Sequence, residues 1–149
     1  MSIQDFIVIY NETFRYIADT YGRARLNDLW AAMSKEWCEH LRRLVKAKGM
    51  DGVYEYWASP AGTLKREKAD FSIKYENGCY DSVMHRCPSV NELIERHQSI
   101  FPDYCEHCAS LYAPVLAEYG ISYRKEYERD PATGLPTGRC KAWIRKKAP

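Results

Sequence analysis

No run of about 18 apolar residues occurs in this chain, so no segment is expected to cross a membrane as a helix. Its opening, MSIQDFIVIYNETF, lacks the basic start of a secretory signal. The apolar run Phe6–Tyr10 is broken at once by Asn11 and Glu12. No signal peptide is therefore expected, and the chain is expected in the cytoplasm, where thiols stay reduced. Neither charge sign dominates: a net charge of +2 over 149 residues gives no general case for nucleic acid or a membrane surface. The basic residues near the end (Arg139, Lys141, Arg145, Lys146, Lys147) lack the aromatic-studded motif of a nucleic-acid binder and read as a solvated strand edge. Histidine is scarce, with four in all, and three of them (His85, His97, His107) fall between Asp70 and Cys108. There is no internal repeat and no low-complexity tract.

Six cysteines, twelve tyrosines and four tryptophans are present. In a reducing compartment the cysteines read as buried, catalytic or metal-binding rather than as disulfides. The aromatic load fits core and groove packing, or an aromatic-lined pocket. Length and composition fit one domain, 1–149, with a helical part over 1–60 and a hairpin–helices–hairpin part over 66–149.

Phe6, Tyr10, Phe14, Ile17 and Tyr21 recur at helical spacing, which predicts a helix over about 3–19 ended by Gly22. Leu26, Trp30, Met33, Trp37, Leu41 and Leu44 predict a second over about 25–48. Gly49 caps it, Cys38 is expected buried on it, and His40 is expected at the surface. A short third helix is expected over 51–58. Phe71, Ile73 and Tyr75 alternate with polar residues up to Asn77-Gly78, the favoured two-residue hairpin turn. That turn fixes a register in which Tyr75 faces Tyr80, Ile73 faces Ser82, Phe71 faces Met84 and Lys74 faces Asp81. Continued outward, it sets Asp70 against His85 and Lys68 against Cys87. Ser89 and Glu92 read as a capping box for a helix to about Gln98. Asp103 reads as the N-cap of another, interrupted or kinked by Pro114. Ile121–Glu128 and Arg139–Arg145 read as a second hairpin around a turn-rich loop. The expected fold is α+β: a four-stranded, largely antiparallel sheet of two hairpins packed with about five helices.

The candidate chemistry centres on Cys87. It lies before a helix N-terminus, beside Arg86 and opposite Lys68, and all three features favour a thiolate. His85 stands two residues back as base, with Asp70 to orient it, completing a nucleophile–base–orienter trio. Cys105 and Cys108 share a helix face at a CxxC spacing suited to zinc or redox work. No βαβ pattern surrounds the pair, so a thioredoxin-like role is not favoured. A zinc site would draw on Cys87, Cys105, Cys108 and His97 or His85. Cys105 is an alternative nucleophile.

Arg86-Cys87-Pro88, a cysteine at Cys105 after a short helix and a closing strand with Cys140 resemble the L-2-amino-thiazoline-4-carboxylic acid hydrolase family. The resemblance spans about 70–145, and it departs from the family pattern where Cys108 occupies a position that tends to be acidic. It implies a small cytoplasmic bacterial enzyme that opens a cyclic amidine C–N bond. Cys87 would attack the ring carbon and His85 would move protons. Arg86 or Lys68 would pair with a substrate carboxylate, and Cys105 and Cys108 would complete the pocket. The expected partner is then a small-molecule substrate, with a homodimer allowed and no metal needed. The rival expectation is a non-enzymatic module binding zinc or a small ligand through the Cys/His cluster.

Overall fold

The structure is a computed structural model, in which residues 2–147 are described. Helix α1 (Ile3–Tyr21) starts from a reciprocal cap. The Asp5 N–H donates to the Ser2 hydroxyl (3.2 Å), and the Ser2 N–H donates to the Asp5 carboxylate (2.9 Å). Gly22, at φ 86°, ends α1 and hands on to α2 (Arg23–Trp37). The single long helix expected from 25 to 48 is instead two, α2 and α3 (Glu39–Lys48), broken at Cys38. The Cys38 thiol and the Ser34 hydroxyl both reach the Leu111 carbonyl, at 3.6 and 2.7 Å. The break thus lets α3 turn and bury Leu41 and Val45 while its polar atoms stay paired. Helix α4 (Met50–Ala58) lies so close to α3 that a β-carbon on Gly52 would sit 2.3 Å from the Leu44 carbonyl oxygen. A single turn, α5 (Thr63–Arg66), has no counterpart in the sequence pattern.

Strands β1 (Asp70–Glu76) and β2 (Cys79–Arg86) meet at Asn77 and Gly78, both at positive φ (51° and 68°), as a type I′ turn requires. Tyr75, Lys74, Ile73 and Phe71 pair with Tyr80, Asp81, Ser82 and Met84 as the turn dictates. Beyond Phe71 an irregularity shifts the register. Asp70 stands opposite Arg86, not His85, and Lys68 lies outside the strand at φ 55°. Lys74 also pairs with Glu76, while Asp81 is held by Arg145.

Helix α6 (Pro88–Glu95) starts from Cys87 as N-cap with Pro88 in its first turn, so the expected Ser89–Glu92 capping box does not form. Helix α7 (Glu106–Ala117) runs through Pro114 and starts from Cys105, not Asp103. The Asp103 carboxylate instead pairs with Arg23 (2.8 Å) and Arg129 (3.0 Å). Strands β3 (Ile121–Arg129) and β4 (Pro136–Lys146) complete an antiparallel sheet in the order β1-β2-β4-β3. The described residues form seven helices and four strands, the α+β class expected, with the extra helices coming from the split at Cys38 and from α5. Tyr80, Ala142, Ile144 and Ile121 bury one face of the sheet together with Trp30, Phe14, Leu116 and Tyr104.

Candidate functional site

The sheet's core face follows period-two alternation. On β3 it carries Ile121, Tyr123, Lys125 and Tyr127, and on β4 it carries Cys140, Ala142 and Ile144. Lys125 is the anomaly: a lysine on the inward phase, paired across the ladder with Ala142. Helix α7 lies over it and brings down Cys105 and Cys108, one helical turn apart. Cys140 comes from β4, and Cys87 from the hand-over of β2 to α6. Four thiols drawn from three chain segments therefore surround one ammonium. Lys125, Cys108, Cys140 and Tyr112 are each half-buried, between the core and the surface. Tyr112 packs edge-on against Trp57 (ring centres 5.1 Å apart) and near Tyr123 (6.2 Å), walling one side.

The electrostatics single out one sulfur. Burial pushes the Cys108 thiol up, but the His107 imidazole and the Lys125 ammonium outweigh it and bring the thiol down to about 5. One unit charge about 4 Å from another is worth ~4 kcal/mol at an effective dielectric of ~20, roughly three pKa units. Lys125 shows the reciprocal effect. Burial disfavours its charge, yet Cys108, Tyr123 and Cys140 hold the ammonium well above the usual lysine range. His107 is also raised: burial opposes its charge and is overcome mainly by Cys108, whose sulfur is 3.7 Å from Nε2. The His107 ring is fixed between Tyr104 (4.8 Å) and Phe14 (5.5 Å), and its Nδ1 meets the Tyr104 carbonyl. The chemical capacity of the site is that of a caged nucleophilic thiolate.

Burial pushes the other three thiols of the cluster up. Cys87 is raised by burial, which outweighs Lys125 and the N–H groups of Val90 and Ser89. Burial also raises Cys105 and Cys140. The expected activation of Cys87 by a helix N-terminus is present but loses to desolvation. Its expected partners stay outside. His85 is exposed, with Nε2 2.7 Å from the Ser72 hydroxyl. Asp70 and Lys68 are exposed too, and Arg86 is engaged by Glu95. Along β2 the inward residues are Tyr80, Ser82 and Met84, so His85 points away from the core into which the Cys87 sulfur turns. The trio Cys87–His85–Asp70 is therefore not assembled. His97 lies exposed in the turn after α6 at φ 54°. Among the described residues no three of His, Cys, Asp and Glu gather to hold a metal ion. The structure thus brings together Cys87, Cys105, Cys108 and Cys140 and adds Lys125 and His107. The one sign of Lys125 in the sequence is its place between Tyr123 and Tyr127 in an inward-facing series.

Two hairpins side by side in one antiparallel sheet, with helices packed on its core face, define the fold. The particular likeness is to the crystal structure of a trafficking protein particle complex subunit 3 from Naegleria fowleri covalently bound to palmitic acid. The TM-score is 0.52 at 14% identity, over 97% of this chain and 95% of that one. No family model and no curated protein matches the sequence. The expected membership of the amino-thiazoline carboxylate hydrolases is thereby overturned: no family model matches, and the fold is similar to that of a trafficking protein particle complex subunit instead. With it fall the cysteine-hydrolase reading, the cyclic amidine as substrate and the small molecule as sole partner. The rival module binding zinc or a small ligand through a Cys/His cluster finds no support either, since His85 and His97 lie outside the cluster. Among the described residues no helix is long and apolar enough to cross a membrane.

Proposed function

We propose that this chain is a subunit of a protein assembly in membrane trafficking, working on the cytoplasmic side. The observation that carries the reading is the end-to-end match of fold to a subunit of such a complex. The surface supports it. Phe6 (43% exposed) and Trp37 (57% exposed) flank Tyr10 in a continuous aromatic ridge, with ring centres 6.3 and 5.5 Å apart. Single exposed apolar residues are ordinary, but a contiguous run of them marks a contact surface. In extracts of cells that make the protein, the chain is expected to elute by size exclusion well above monomer size, together with other polypeptides. A Phe6→Asp/Trp37→Asp double variant is expected to elute as a monomer with an unchanged circular dichroism spectrum. Wild type that runs as a monomer, or as a complex of this chain alone, overturns the reading.

The Cys108 thiolate favours a second property within the same fold: covalent acylation. The thiolate attacks the carbonyl of an acyl thioester, the C–S bond to the carrier breaks, and the carrier leaves as its thiolate. Incubation with palmitoyl-coenzyme A is expected to add the mass of one palmitoyl group, removable by hydroxylamine and absent in Cys108→Ala. Stable acylation of a different cysteine, or none, overturns it.

A further inference from the structure

We propose that Cys108 is a site of reaction with hydroperoxides and that Cys105 is the thiol that resolves the product. Three features of the geometry support this. First, Cys108 is half-buried, neither sealed in the core nor open to bulk water, and its sulfur lies 3.7 Å from the His107 Nε2. Second, Cys105 is the N-cap residue of α7 with helical dihedrals (φ −70°, ψ −14°), and Cys108 lies three residues on. Positions i and i+3 of a helix have β-carbons roughly 5–6 Å apart. A disulfide needs roughly 3.5–4.5 Å, with α-carbons inside about 6.8 Å. The required closure of about 1–2 Å falls on the first turn of the helix, where Cys105 is only half inside. Third, Lys125 is an enclosed cation whose neighbours are sulfur and phenol (Cys108, Tyr123, Cys140, Cys105), which places a proton donor at the reacting atom.

The steps balance. The Cys108 thiolate attacks the terminal oxygen of ROOH, the O–O bond breaks, and an S–OH group forms. The departing alkoxide takes a proton from the Lys125 ammonium and leaves as ROH. The Cys105 thiol then gives its proton to the Lys125 amine, and its sulfur attacks the Cys108 sulfenic sulfur. The hydroxide released takes that proton back and leaves as water. The two thiols lose two electrons in total, and the peroxide gains them. Cys140 and Cys87 lie near the same ammonium, but neither shares a helical turn with Cys108. The inference does not depend on the proposed acylation: it concerns the free Cys108 sulfur and its placement one helical turn from Cys105.

The test uses the full-length chain with one equivalent of hydrogen peroxide, quenched by a thiol-blocking reagent and mapped by peptide mass. The expected result is a Cys105–Cys108 disulfide within one peptide, reversed by dithiothreitol. Cys105→Ala is expected to stop at the sulfenic acid of Cys108, captured by dimedone. Lys125→Met, checked for folding by circular dichroism, is expected to oxidise at least tenfold more slowly at Cys108. Oxidation of Cys38, Cys79 or Cys140 ahead of Cys108 overturns the proposal. So does a Cys105→Ala variant that captures no dimedone at Cys108.

Discussion

In Lys125→Met, the Cys108 thiol is expected to titrate well above its native value of about 5, toward the ordinary 9.0. Methionine fills most of the lysine volume and is at home in a core, so the change removes the charge with little change in packing. Burial is the largest influence on Cys108 and it acts upward. Only the cations of His107 and Lys125 oppose it. With Lys125 gone, His107 alone faces the desolvation cost. The readout is the pH dependence of iodoacetamide labelling, followed by mass for the Cys108 peptide. In wild type the rate is expected to rise with pH through about 5 and then level off, because the thiolate is already formed. In the variant it is expected to keep rising past neutrality. The inflection discriminates better than the rate at one pH. A lower-pKa thiolate is also intrinsically a weaker nucleophile, with a Brønsted slope of about 0.4–0.5, so abundance and reactivity partly cancel. An inflection unmoved by the variant would show that Lys125 does not hold the charge.

The second large effect concerns Asn11, which in the sequence merely interrupts an apolar run. It is fully buried on α1, and its amide spans to the linker between α6 and α7. The Asn11 Nδ2 donates to the Ser99 carbonyl at 2.9 Å, and its Oδ1 accepts the Phe101 N–H at 2.8 Å. Asn11→Leu keeps the volume and removes both bonds. The Ser99 carbonyl keeps Arg15 as a donor, but the Phe101 N–H is left buried and unpaired. One such orphan costs about 1–3 kcal/mol, and the lost bond adds about 1. The expected loss is therefore ~2–4 kcal/mol by urea denaturation, large against a typical total of about 5–15. The linker it anchors feeds Tyr104 and Cys105 into α7, so the Cys105–Cys108 turn is expected to label faster in the variant. A loss under about 0.5 kcal/mol would refute the structural role given to this amide.

Much of the fold is legible in the residue pattern. The Asn77-Gly78 turn sets the register of β1 and β2 from Phe71 to Glu76, and the alternating Ile121–Glu128 segment locates β3. The pattern failed where a side chain elsewhere overrides a local rule. The helix from 25 to 48 has no breaker at Cys38. It breaks because the Leu111 carbonyl on α7 accepts from Ser34 and Cys38 there. The Ser89–Glu92 box is a good cap in isolation. It loses to Pro88, whose ring presets the first turn one residue earlier. Asp70 and His85 part company at an irregularity that no turn rule foresees.

The sequence by itself determined the class, the two hairpins and most helices, since these follow from period and turn chemistry. Which sulfur is charged was decided by tertiary structure. Arg86 adjoins Cys87 in sequence, but its side chain is engaged by Glu95 at the surface while Cys87 packs against the core, a medium that suppresses charge. Cys108 is ionised because β3, packed under α7, delivers Lys125 to it from a distant part of the chain. A charge acts through a few ångströms of space, and only folding sets which residues share them.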